Sequence, residues 1–231
     1  MKLSSLAPVL ALLGSLWLTG CALQPSPQFY QLDAGQPTLP VRDKGPAVLL
    51  GPLKLADYLQ RENLLQRESD GSLQLSQEAR WAGSLQDDVG QLLLRQLASR
   101  LQTSRIALYP DRVGFDNQLQ AVLSISRLDS GASQPARLQA QWRLLDGQGQ
   151  LRGSRLLSLQ AEHDGTPRDQ VRAQSELLQQ LAAELAAAIR ALPPSTPPPR
   201  PGKRAPAAKA GSGSAPAPLP PVLQAPGRIS F

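Results

Sequence analysis

From residue 119 to residue 160 the chain repeats one two-residue period three times. Leu119, Ala121, Leu123 and Ile125 alternate with Gln120, Val122, Ser124 and Ser126; Leu138, Ala140, Trp142 and Leu144 do likewise; residues 151–160 follow the turn Asp146-Gly147-Gln148-Gly149. Successive side chains of a strand point to opposite faces, so strict alternation predicts strands with one face on a core and the other in water. Three such strands with short connections predict an antiparallel meander. A sheet with one apolar face needs an amphipathic layer to cover it.

Two segments have the period to supply that layer. From Ser84 onward, Leu85, Val89, Leu92, Leu93, Leu97 and Leu101 build one apolar helix face. Ser84 is a natural N-cap, Asp87 and Asp88 suit the positive helix end, and the helix is expected to stop near Gln102. A second helix is expected over about residues 167–191, with Thr166 as N-cap, Pro167 at the first helical position and Asp169 in the first turn. Its buried stripe is Val171, Leu178, Leu181, Leu185, Ala188 and Leu192, and Pro193-Pro194 end it.

Phe29-Tyr30-Gln31-Leu32 reads as a short strand. Residues 47–55 are apolar but broken by Gly51-Pro52, which predicts an edge strand or one with a bulge. Residues 63–68 and 72–76 flank Asp70-Gly71, a hairpin signal, and residues 105–109 form a strand candidate ended by Pro110. Four strands, a helix, four strands and a helix predict an α+β fold: a two-layer, largely antiparallel sheet with two main amphipathic helices packed on it.

Both ends fall outside this pattern. Residues 193–231 hold 12 prolines in 39 residues and no acidic side chain. Such a segment cannot bury enough apolar surface to offset its ordering entropy, so a disordered, basic, Pro-rich tail is expected. At the other end Met1-Lys2 precedes an apolar run, and Thr19-Gly20 places small residues before Cys21, the single cysteine. The run is shorter than the roughly 20 apolar residues of a membrane span, and the whole resembles a bacterial lipoprotein signal. The expected division is signal peptide 1–20, lipidated tether 21–27, folded domain 28–192 and tail 193–231. In such signals the cysteine thiolate accepts a diacylglyceryl group, and its freed amine a third chain. Each buried CH₂ contributes about 0.8 kcal/mol, so two or three chains anchor stably. Ala22, where retained lipoproteins of this pattern carry Asp, points to outer-membrane delivery facing the periplasm.

The formal charge of +6 also belongs to the ends: Lys2 and the tail cations Arg200, Lys203, Arg204, Lys209 and Arg228 carry it, while the acids and bases of residues 22–192 cancel. A nucleic-acid binder needs cations on the folded domain with aromatics among them, so no nucleic-acid partner is expected. The tail suits an anionic membrane or cell-wall polymer, or serves as a solvated linker.

Chemistry is sparse. His163 sits in Glu162-His163-Asp164-Gly165 at a strand end, where a turn role fits better than a general base. One histidine with scattered acids suggests no metal site, Cys21 is consumed by acylation, and Gly147-Gln148-Gly149 lacks the strand-to-helix context of a dinucleotide motif. No cofactor and no enzymatic activity are expected.

Tyr30-Gln31-Leu32, Gly51-Pro52, Asp57-Tyr58-Leu59-Gln60-Arg61, Leu65-Gln66-Arg67, Arg80-Trp81-Ala82, the Leu-rich helix after it, Ser124-Ile125-Ser126-Arg127 and residues 138–147 with Trp142 come in the order and spacing of one family. Over residues 28–192 the chain resembles the PqiC-type (paraquat-inducible C, YmbA-like) ABC-type transport auxiliary lipoproteins. Glu62 and Gly83-Ser84 depart from the family pattern, which leaves the fold reading intact. The resemblance implies an outer-membrane lipoprotein working with a membrane-anchored MCE-domain protein in lipid transport between membranes. It would dock the lipid-conducting assembly and support membrane integrity, and a homo-oligomeric ring is a reasonable arrangement beside MCE rings. An envelope-integrity lipoprotein whose basic tail tethers it to peptidoglycan or another anionic polymer is the alternative; an envelope hydrolase ranks last.

Two readings of the matching residues stand side by side. Tyr58, Arg61, Arg67, Arg80 and Trp81 form a partner-docking surface, since Arg and Trp are enriched at binding hot spots. Or they are structural, with Trp81 packed over the start of the following helix and Arg80 tied to a carboxylate or to loop carbonyls.

Overall fold

The structure, a computed structural model, describes residues 26–41, 43–111 and 113–193. The expected signal peptide, Cys21 and the tail beyond Pro193 lie outside the described residues. The elements are β1 Gln28–Tyr30, β2 Val48–Leu55, β3 Asn63–Arg67, β4 Leu73–Trp81, α1 Leu85–Leu101, β5 Ile106–Leu108, β6 Leu119–Gly131, β7 Gln134–Asp146, β8 Leu151–Ala161 and α2 Pro167–Ala191. A short 3-10 turn, Asp57–Leu59, links β2 to β3. The order expected from periodicity is therefore the order observed.

All eight strands join in one mixed sheet. The meander β6-β7-β8 is antiparallel and carries the longest ladders. Parallel pairing enters through the first-half strands, because β2 and β3 reach β6 only after long connections. At 13 residues, β6 is long enough to take two partners end to end along one edge. Its first half pairs with β2 and Ser130 near its end pairs with Gln66 of β3, so the sheet forks there. One branch continues to β5, the other to β4 and β1.

Gly51-Pro52 does what its chemistry demands inside β2. The register with β6 shifts between Leu50 and Leu53, and β5 pairs only as far as Leu50, so β2 is interior before the bulge and bordered on one side after it. Gly51 has φ +115, and a Cβ there would lie 2.9 Å from Cβ of Tyr109, so the position tolerates only glycine.

Both helices cap as expected: Ser84 Oγ accepts from the Asp87 N–H and Thr166 Oγ1 from the Asp169 N–H. They run side by side in the same direction, since Leu85 and Gln174 line one small cavity and Arg190 reaches the carbonyl of Arg100. Leu92, Leu93 and Leu97 of α1 and Leu178, Leu181 and Leu185 of α2 are fully buried against Leu123, Leu138 and Leu144 of the sheet. Each such leucine contributes about 1.5–3 kcal/mol relative to exposure. The other sheet face presents Ser124, Ser126, Gln139, Gln141 and Ser158 to water.

Candidate docking surface

The fork in the sheet is fastened by one buried carboxylate. Asp129 lies on β6 just past the point where its register with β7 shifts, and its side chain is inaccessible. Tyr58, in the 3-10 turn, donates its O–H to Oδ2 at 2.8 Å. Arg67, at the end of β3, clamps both oxygens, Nε to Oδ1 at 2.9 Å and Nη2 to Oδ2 at 2.8 Å, and Arg127 Nε donates to Oδ1 at 2.9 Å. Burial by itself would raise the Asp129 pKa, but the hydrogen bonds from Arg67 and Tyr58 and the charge of Arg127 outweigh it and hold the carboxyl below its ordinary value. Burial, then the hydrogen bond to Asp129, pushes the Tyr58 hydroxyl up to about 12. Tyr58 and Arg67 thus meet, but they meet inside the fold.

Trp81 closes β4, donates its backbone N–H to the Glu62 carbonyl at 2.7 Å and is buried in the same core as Leu85 at the start of α1. That is the packing role weighed for it from the sequence. Its neighbour Arg80 lies opposite Phe29 of β1 and Asn63 of β3, and alternation along β4 sends its side chain to the face away from Trp81. Arg80 Nε is buried with no hydrogen-bond partner among the described residues, so neither the expected carboxylate nor a loop carbonyl holds that nitrogen.

Arg61 stands apart from these. It is exposed and lines an open groove of about 670 Å³ with Phe29, Glu62, Trp81 and Ser84. Phe29 is 64% exposed, an aromatic side chain that sequence reasoning counted only as a strand residue. The chain enters the domain at this end. Ala82 N–H donates to the Tyr30 carbonyl, and Asp88 in the first turn of α1 accepts from the Leu32 N–H at 3.1 Å and from Gln31 Nε2 at 2.9 Å.

The sequence matches the ABC-type transport auxiliary lipoprotein component family over residues 30–186, which takes in β3, β4 and the strapped entry segment. The chain belongs to that family. An uncharacterised protein of known crystal structure is 20% identical to this auxiliary lipoprotein, with a TM-score of 0.58, covering 71% of this chain and 99% of its own. A Xanthomonas campestris protein of the DUF330 family is 17% identical, with a TM-score of 0.53, covering 70% and 90%. Those likenesses concern the fold. No curated relative matches the sequence.

The single histidine of the auxiliary lipoprotein domain has a place in a turn. Gly165 N–H donates to His163 Nδ1 at 3.0 Å, which leaves Nε2 to donate to the Gln134 carbonyl at 3.0 Å, so the imidazole ties the β8–α2 turn to β7. Among the described residues, no group of His, Cys, Asp or Glu is arranged to hold a metal ion, and no helix is long and apolar enough to cross a membrane.

Proposed function

We propose that this lipoprotein is the outer-membrane-anchored subunit of an MCE-type intermembrane lipid transport system, docking the periplasmic lipid-conducting assembly at the outer membrane and so supporting membrane integrity. The family match across the folded domain is the observation that carries the reading. Acylation of Cys21 gives the anchor, and a homo-oligomeric ring of the domain gives the assembly a matching face. Among the five candidate residues, Arg61 is the contact side chain, together with Phe29 beside it. Tyr58, Arg67 and Trp81 hold the surface on which Arg61 stands, and Arg80 lies beside Phe29 on the neighbouring strand with a donor to spare.

Two measurements test this. Cys21→Ser leaves the domain sequence untouched and is expected to abolish lipid-barrier function in cells; full function in that variant would make the anchor incidental. Arg61→Glu is expected to weaken recovery of the MCE-domain partner in pull-downs about tenfold, the scale of a modest hot spot, with no change in thermal stability. Unaltered recovery would move docking elsewhere. Loss of function on removing residues 193–231, with the partner still recovered, would instead favour tethering through the tail.

A further inference from the structure

At the other end of α1, about 25 Å from Arg61's groove by helix rise, the two helices finish together. Lys44, Arg105, Arg152 and Arg190 line an open groove of about 560 Å³ there, over a floor of Leu101 and Ile189. All four cations are exposed, and among the described residues no carboxylate lines the groove. Capping accounts for part of this charge, because each helix C-terminus is equivalent to about −0.5. Asp43, which accepts from the Ser104 N–H and hydroxyl near Arg105, and Asp146, 3.5 Å from Arg152, offset two more cations. With Arg100 beside the groove, five positive charges face roughly three negative ones. A surplus of about two remains.

Two of the guanidiniums are already held. Arg105 Nη2 donates to the Gly45 carbonyl at 2.7 Å and Arg190 Nη1 to the Arg100 carbonyl at 3.0 Å. Each keeps further N–H donors in the planar fork that pairs with carboxylates, and the ordering cost of the side chain is met before any partner arrives.

We propose that this groove docks an acidic segment of a partner protein, its carboxylates on the rim cations and an apolar side chain on the half-buried Leu192. The groove is open along its length, so it would leave a lipid acyl chain in water. Residues 194–231 carry five cations and no acid, so they do not supply the acidic segment. The groove also lies at the end of α1 remote from β1, where the chain arrives from Cys21. The proposal does not depend on the transport reading.

The test is fluorescence anisotropy of a labelled peptide of alternating glutamate and leucine with the full mature chain. Lys44→Glu combined with Arg152→Glu, neither of which removes a cap hydrogen bond, is expected to weaken binding about tenfold or more. Replacing the peptide's glutamates with glutamine should weaken it similarly. Arg168→Glu, exposed at the remote N-terminus of α2, and conversion of all five tail cations to glutamine, should leave affinity within about twofold. Wild-type affinity in the double variant, or a loss that follows the tail cations instead, overturns the proposal. So does capture of phosphatidylglycerol vesicles that the double variant loses while peptide binding persists. If thermal melts show the Glu variants unfolded, Lys44→Gln with Arg152→Gln carries the same comparison.

Discussion

At the scale of single residues, Asp129 decides the most. Its burial would be costly on its own, yet two arginines and a tyrosine surround it, so removing the charge leaves Arg67 and Arg127 without their counter-ion. Asp129→Asn is expected to cost on the order of 3 kcal/mol at neutral pH in denaturant unfolding. An aspartate whose folded pKa is lowered adds stability that is complete above its unfolded value of about 3.9 and is lost as pH falls through the lowered value. The gap between wild type and variant should therefore narrow in acid; a gap that stays constant down to about pH 2 would contradict the lowered pKa. None of this was legible in the sequence, where Tyr58 and Arg67 stood out but Asp129 did not. Their partner lies more than 60 positions away, on a strand whose alternation breaks at a bulge.

At the scale of elements, the periods were enough wherever one face is buried and the other is wet. Both helices, their N-caps and the three-strand meander follow from that rule alone. What periodicity could not reveal is which strands meet: parallel neighbours of β6 come from far up the chain, and nothing local encodes them. One local residue does permit the fork. A Cβ on Gly131 would lie 1.9 Å from the Arg67 carbonyl oxygen, so β3 approaches β6 only because that side chain is missing. Gly131→Ala should cost about 3 kcal/mol, at the upper end of overpacking effects. Gly83→Ala, which meets nothing within 4 Å, is the control and should be nearly neutral. Equal midpoints for the two variants in urea would mean that the contact at the fork is not tight.

At the scale of the whole molecule, the sequence was clearest about its family and least clear about its surface. The family resemblance pointed to a docking accessory, while of the five residues marked for docking Trp81 is in the core, Tyr58 and Arg67 are on Asp129, and Arg80 stands beside Phe29 with its Nε buried. Sequence patterns single out residues that matter without separating those that hold a surface from those that form it. Phe29 shows the reverse: its 64% exposure depends on β1 being the last strand of its branch, a fact of topology.

The branching of the sheet also sets where the domain can loosen. Every strand on either branch depends on β6, so amides of residues 119–125, bonded on both sides, should exchange with solvent deuterium only through global unfolding. β1 has three residues and one neighbour, so its amides should exchange through local opening that leaves the core closed. Uniform protection across both strands in native-state exchange would rule this out. If the difference is found, the segment joining the domain to its anchor can yield under tension while the rest keeps its shape, a compliant link between a fixed membrane and whatever the domain holds.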